Sequence, residues 1–214
     1  MQEKILVLAG ASGVGKTTVA DCILCSDPDF SLVRSVTTRA PRGDGRDDEY
    51  IYIGREEFYH KIENGRLVEY TEYGDNLYGT PISELERIFN EGKIPLLILD
   101  IEGVKSLRAK NFNFSTVAVY IWDSLDVVEK RLFARDLQEP TEEKVKSFNK
   151  RIQMNIRDYR SMPEISHIFD LFVRNDCVEK CRDKITEVLF SPAIDMQEKN
   201  ADIAEYLKQM AENK

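Results

Sequence analysis

The chain has 214 residues, 42% hydrophobic and 32% charged, the composition of a globular protein with one sizeable core. Its 30 basic and 38 acidic residues give a net charge of −8, which leaves no broad positive field for nucleic acid or an anionic membrane. No apolar run reaches the roughly 18 residues of a membrane span, and "ILVLAG" (5–10) is too short for a signal-peptide core, so the expected location is cytoplasmic.

In chain order, "KILVLA" (4–9), "IPLLILD" (94–100), "STVAVYIW" (115–122) and "HIFDLFV" (167–173) read as strands. The first three are continuously apolar, as in strands covered on both faces. Helical patterns lie between them. "PISELERIFNEG" (81–92) has Pro81 in the first turn, Ile82, Leu85, Ile88 and Phe89 on one face, and Gly92 as a stop. Residues 123–137 form a second helix that starts on a capping Asp123 or Ser124. This alternation predicts an α/β fold with a mainly parallel sheet. Two regions break it. Residues 34–80, rich in Arg, Asp, Glu, Tyr and Gly, read as an inserted lobe with strand pieces at 49–53 and 67–72. Residues 125–160 read as a mobile flap of two charged helices around Pro140, with few core positions. After Ser191-Pro192 comes a weakly amphipathic helix carrying Ile203, Leu207 and Met210, which docks on the core or on a partner chain. Cys22, Cys25, Cys177 and Cys181 are too few for a disulfide scaffold, and read either as a four-thiolate zinc site or as small apolar helix residues. His60 and His167 show no partner pattern.

"GASGVGKT" (10–17) fits the G-x-x-x-x-G-K-[ST] phosphate-binding loop and lies between a buried strand and a helix, the context the motif requires. Glycines let the backbone amides turn inward around phosphate, and the helix N-terminus adds partial positive charge. Gly10, Ala11, Ser12, Gly13, Val14, Gly15, Lys16, Thr17 and Thr18 are thus the candidate nucleoside-triphosphate-binding segment. Lys16 reaches the β- and γ-phosphates, and the Thr17 hydroxyl is the candidate Mg²⁺ ligand.

A second anion pocket beside a triphosphate donor would suit an acceptor that is itself anionic. "SVTTRAPRGDGRDDEY" (35–50) offers Arg39 and Arg42, whose forks can grip a phosphate, although a solvated loop would carry the same pair. Tyr50 and Tyr78 add hydroxyl donors. "LVEYTEYGDNLYGT" (67–80) supplies Glu69 and Thr80, and "LLILDIEG" (96–103) puts Asp100 at a strand end, where α/β ligand sites form.

With these segments together, the chain resembles the guanylate kinase family. GASGVGKTT, SVTTRAPRG with Tyr50, VEY followed by GDNLYGT, LDIEGV, and KRLFAR with Arg151 downstream carry the resemblance over about residues 4–190. It implies a P-loop three-layer α/β/α core (1–33, 81–124 and 161–190), a GMP-binding lobe (34–80) and a helical lid (125–160), and leaves residues 191–214 as a C-terminal extension outside it. It also implies that Ser35, Glu69, Thr80 and Asp100 face guanine, and that Arg39, Arg42, Tyr50 and Tyr78 hold the monophosphate. The chemistry agrees with the implied base. Guanine presents N1–H and a 2-amino group, for which carboxylates are pure acceptors, whereas adenine would face them with a lone pair. Unpaired polar groups of this kind discriminate by about 10⁴ or more.

Several positions depart from the family pattern. Ile98 stands where an acid is usual, and Glu102 where a glutamine is. Trp122-Asp123-Ser124 replaces Pro-Pro-Ser, Leu77 replaces a tyrosine, and the loop from Arg42 to Tyr50 is about one residue shorter.

The resemblance further implies Mg-ATP-dependent phosphorylation of GMP and dGMP. Lys16, Arg39, Arg131, Arg135 and Arg151 would neutralise charge on the transferring group. Arg131 and Arg135, four apart, share a helix face, and closure of the lid would exclude water. A ribose bisphosphate kinase or a non-catalytic guanylate-kinase-like binding module are the alternative readings. Small-molecule nucleotides are the expected partners, with neither nucleic acid nor membrane, and the chain is compatible with a monomer or a homodimer.

Overall fold

A computed structural model of the chain describes residues 3–41, 47–73, 75–190 and 197–214. Its elements follow in the order β1 (Lys4–Gly10), α1 (Lys16–Ser26), β2 (Phe30–Leu32), β3 (Ser35–Thr37), β4 (Tyr50–Tyr52), α2 (Arg55–Glu63), β5 (Leu67–Tyr73), β6 (Asn76–Pro81), α3 (Ile82–Asn90), β7 (Ile94–Ile98), α4 (Ile101–Arg108), β8 (Ser115–Trp122), α5 (Leu125–Asp136), α6 (Glu142–Ile165), β9 (Leu171–Arg174), α7 (Val178–Phe190) and α8 (Gln197–Glu212). A five-stranded sheet has the order β2-β7-β1-β8-β9, and a four-stranded sheet the order β4-β3-β6-β5. β2 lies parallel to β7, and β8 to β9. The continuously apolar strands are buried as their sequences require: Ile5 to Ala9 and Ala118 to Ile121 are all 0% exposed. The fold is α/β with a mainly parallel central sheet.

The chain divides into two compact units. One comprises residues up to Val7 together with Leu24–Thr116, and the other Leu8–Ile23 with Val117–Lys214. In the first unit the four-stranded sheet has an apolar face, where Val36, Phe58, Leu67 and Leu77 are buried and Ile51, Ile53 and Ile62 pack against them. α3 begins one residue later than the periodicity suggested, because Pro81 is its N-cap and also ends β6. Gly92 closes the same segment at φ +71°, with its N–H donating to Phe89 O at 2.9 Å.

In the second unit, α5 and α6 carry more core than their charge suggests. Leu125, Val128 and Leu132 are buried on α5, and Phe148, Asn155, Ile156, Tyr159 and Met162 on α6. α6 continues to Ile165, so residue 160 falls inside a helix rather than at an element end. The reason is α8, which lies against α6 and buries Ala204, Leu207 and Ala211 completely. The small side chains at 204 and 211 let the two backbones approach. The tail helix is therefore docked on its own chain; Ser191-Pro192 lies outside the described residues.

The expected strand 167–173 is shorter than its apolar run, because Ser166–Ile168 form a 3-10 turn and β9 starts only at Leu171. Backbone bonds continue before β9, with Asp170 N–H donating to Ala118 O at 2.8 Å and Phe169 N–H to Ser166 O at 3.0 Å, and side chains add to them. Asn200 of α8 donates to Asp170 O (3.2 Å) and Phe169 O (3.4 Å) and accepts from Phe172 N–H (3.1 Å), while Asp170 Oδ2 accepts from Ala118 N–H at 2.7 Å.

Candidate active site

Within the second unit the phosphate loop connects β1 to α1, and Lys16 and Thr17 occupy the first turn of that helix. Lys16 Nζ donates to Gly10 O (2.8 Å) and Ala11 O (3.1 Å), so the ammonium is folded back over the loop. Gly13 has φ +85°, and a Cβ there would meet Leu132 Cγ at 2.5 Å. Gly15 has φ +98°, and a Cβ there would meet Asn175 Nδ2 at 2.5 Å. Both positions therefore exclude side chains twice over, by conformation and by space.

The loop is also gripped from outside. Asn155 of α6, 1% exposed, accepts from Ser12 N–H at 2.8 Å and donates to Ser12 O at 2.9 Å. Asn175 donates to Val14 O at 2.8 Å. Thr17 is half-buried and Thr18 exposed.

Of the three arginines expected in the lid, Arg131 is tied to this loop. Its Nη1 donates to Val14 O (3.1 Å), its Nη2 to Asn175 O (3.1 Å), and it pairs with the buried Asp123 carboxylate at 3.1 Å. Asp123 pairs in turn with Arg174 at 3.2 Å. Arg135 and Arg151 instead meet at Asp136, at 2.7 and 3.6 Å. The three guanidiniums thus form two separate sets.

Within the first unit, strand register gathers the expected acceptor residues. Ser35 is paired with Tyr50, Thr37 with both Tyr52 and Tyr78, and Thr80 with Glu69. Directly paired residues share a sheet face, and so do residues two apart. Ser35, Tyr50, Tyr78, Thr80 and Glu69 therefore line the face opposite the apolar cluster. A bulge between Leu67 and Glu69 sets the phase of β5. At the edge of this face the Arg39 guanidinium carbon lies 5.2 Å from the Tyr50 ring centre and 5.8 Å from that of Tyr52. The Tyr50 and Tyr78 rings meet edge to face at 6.3 Å. Thr37 Oγ1 accepts from Arg39 N–H at 3.1 Å and donates to Leu77 O at 3.0 Å, which fixes the start of the arginine's loop. Arg42 lies outside the described residues.

Glu69 and Asp100 converge from different elements. Glu69 is 2% exposed, and Thr80 donates its hydroxyl to Oε1 at 2.6 Å. Asp100 is the N-cap of α4 and accepts from Gly103 N–H at 2.7 Å through Oδ1. A Cβ on Gly103 would lie 3.1 Å from Glu69 Oε2 and 3.2 Å from Asp100 Oδ1, so both carboxylates sit over the first turn of α4. Burial raises the Glu69 pKa to about 7; the Thr80 hydroxyl opposes this, the Asp100 charge adds to it, and the Lys110 charge opposes it. Lys110 is held close by donating to Val68 O at 2.7 Å.

Among the described residues no cluster of three or more His, Cys, Asp or Glu is placed to hold a metal ion. A hard cation that keeps several waters and takes phosphate oxygens needs only one or two protein oxygens. The half-buried Thr17 hydroxyl beside Lys16 fits that role. Tyr52, Lys110, Gly103, Asn155 and Asn175 were not picked out by sequence reasoning, and Asp123, read there as a possible helix cap, instead pairs with Arg131 and Arg174 while Ser124 caps α5. Tyr52 was within reach of such reasoning, since alternation from Tyr50 puts both rings on one face. The two asparagines sit about 140 and 160 residues from their loop partners and carried no local signal.

A phosphate loop between strand and helix in an α/β fold with a mainly parallel sheet defines the P-loop nucleotide-binding class. The guanylate kinase family model matches residues 2–192. The chain is 34% identical to a guanylate kinase of Porphyromonas gingivalis, with 87% of this chain and 98% of that protein covered. It is 29% identical to one of Malacoplasma penetrans, covering 90% and 95%. The crystal structure of guanylate kinase from Anaplasma phagocytophilum superposes with a TM-score of 0.64 at 25% identity, covering 91% of this chain and 88% of that one. The chain belongs to the guanylate kinase family.

Proposed function

We propose that the chain transfers the γ-phosphoryl group of ATP to GMP, and to dGMP, giving ADP and GDP or dGDP. The observation that carries the base assignment is the convergence of the Glu69 and Asp100 carboxylates over Gly103, with Thr80 holding Glu69. Two acceptors side by side match the N1–H and 2-amino donors of guanine. Ser35 lies on the same sheet face. Arg39, Tyr50 and Tyr78 form the adjoining donor set for the monophosphate, joined in this reading by Arg42.

The acceptor phosphate is already an oxyanion at neutral pH, so no general base is required. The chain's work is positioning and charge neutralisation. Lys16 exchanges its bonds to Gly10 O and Ala11 O for the β- and γ-phosphates, and the remaining loop amides and the α1 N-terminus hold the same groups. Arg135 and Arg151 leave Asp136 to meet the transferring group, a role worth about 10³ to 10⁵ in rate for such arginines. Arg131, anchored between Asp123 and Val14 O, reaches the phosphates from the loop side. Mg²⁺ entering with ATP would be held by the Thr17 hydroxyl and would offset phosphate charge.

The reaction belongs to purine nucleotide metabolism, and we place it in the cytoplasm; no described helix is long and apolar enough to cross a membrane. A coupled assay of GMP, dGMP, AMP, CMP and UMP against Mg-ATP tests the reading. Turnover of GMP and dGMP is expected, and phosphorylation of another monophosphate in preference to GMP would refute it.

A further inference from the structure

The side-chain amide of Asn155 bonds both the N–H and the C=O of Ser12, at 2.8 and 2.9 Å, from a position 1% exposed. A buried, two-point amide bracket fixes a backbone segment in position and orientation, as a single bond does not. It also occupies the Ser12 N–H, so among the loop amides this one is not turned toward phosphate. One turn earlier on α6, Arg151 projects from the same helix face, since residues four apart are neighbours. The bracket therefore joins two parts of the proposed transfer machinery, the phosphate loop and the helix that carries Arg151.

We propose that Asn155 is a positioning residue for the reaction: by clamping Ser12 it presets the phosphate loop for triphosphate and holds α6, with Arg151, in register with it. Asn155 touches no reacting atom in this arrangement. Its removal frees the loop to adopt other backbone states, and ATP must then order it on binding. The cost falls on ATP affinity and on the transfer step, and not on the acceptor pocket built on β3 to β6.

This inference rests on the reading of the loop as an ATP site, and the test separates the two. Backbone amide exchange is followed by NMR on the whole chain without nucleotide, and Mg-ATP is titrated into the wild type, Asn155→Ala, Asn155→Ser and Ile156→Ala. The Ser12 amide is expected to be protected before nucleotide is added. Asn155→Ala is expected to weaken ATP binding and raise the KM for ATP about tenfold while the KM for GMP stays within about twofold. Asn155→Ser, which can keep one of the two bonds, falls between. Ile156→Ala removes a neighbouring buried side chain and is expected to lower thermal stability without moving ATP affinity.

Free exchange at Ser12 before ATP binds overturns the proposal, and so does wild-type ATP affinity in Asn155→Ala or an ATP defect in Ile156→Ala as large as that of Asn155→Ala. Should Asn155→Ala not fold, the serine variant and the exchange measurement decide. A wild type that does not bind ATP refutes the underlying reading instead.

Discussion

The Thr80 hydroxyl donates to Glu69 Oε1 at 2.6 Å, and the two residues are directly opposed on β5 and β6. Cross-strand pairing thus fixes the carboxylate by the geometry of the sheet, at a site where burial alone would drive it toward the neutral acid. The second oxygen faces α4, where Asp100 caps the helix.

Glu69→Gln tests the base assignment. Glutamine keeps the volume and an oxygen for Thr80, but turns an NH₂ donor toward a ligand that itself presents donors. The KM for GMP is expected to rise about a hundredfold or more, with the KM for ATP within about twofold. Steady-state kinetics with each substrate varied check this, and equal losses for both nucleotides would remove Glu69 from the base site.

The pH dependence follows from the same residue, with opposite signs for stability and for binding. Its pKa is raised from 4.5 to about 7, so between these values the folded chain holds a proton that the unfolded chain has released. The stability it contributes is therefore present at low pH and is lost as pH rises through about 7. GMP, by contrast, needs the ionised carboxylate, so its affinity should increase over the same interval. GMP loses its own second phosphate proton near about pH 6, and Glu69→Gln separates the two events by leaving only that one. Calorimetric titration across the range checks the profile; an unchanged profile in the glutamine variant would exclude the carboxylate.

Lys110→Met should shift that profile upward. The ammonium lowers the Glu69 pKa, and its anchor on Val68 O keeps it beside the bulge. Without it, GMP affinity at neutral pH falls and recovers in more alkaline buffer. A loss independent of pH would mean that Lys110 acts by holding β5 rather than by its charge.

Much of this was legible in the sequence, and the gaps have physical causes. "GASGVGKT" announced the loop because its glycines answer local backbone demands, seen in φ +85° at Gly13 and +98° at Gly15. The continuous apolar runs announced β1, β7 and β8. The run at 167–173 misled because apolarity reports burial, not pairing: Phe169 is buried yet outside β9. Charge hid the core positions of α6, where Tyr159 and Met162 are fully buried, since the helix packs against α8, a partner distant in sequence. The separation of Arg131 from Arg135 and Arg151 was likewise invisible, because it depends on Asp123 and Asp136 as competing carboxylates. Shared helix face told where the arginines project, not which partner each takes.

Gly13→Ala should abolish ATP binding and destabilise the fold. A Cβ at that position would lie 2.5 Å from Leu132 Cγ, in a backbone conformation that itself disfavours alanine. Leu132 is fully buried on α5, so it has no room to yield. A loss of about 2 kcal/mol or more in urea unfolding is expected. The companion Gly13→Ala/Leu132→Ala removes the clash but not the φ penalty, and should recover part of the ATP affinity. No recovery would place the whole effect in the backbone.

Leu207→Ala tests whether α8 is part of the folded core rather than an appendage. Leu207 is 0% exposed between Ala204 and Ala211, and the helix is tied down by Asn200 at one end and by Lys214, which meets Asp126 at 2.7 Å and Glu129 at 3.1 Å, at the other. The exposed ion pairs contribute little, so the apolar seam has to supply most of the docking energy. Truncating the leucine leaves a cavity in that seam and should cost about 2–5 kcal/mol, read as a lower urea midpoint with an unchanged slope. Lys214→Ala should cost under about 1 kcal/mol by the same measurement. A Leu207→Ala loss no larger than that of Lys214→Ala would show the helix detached in solution.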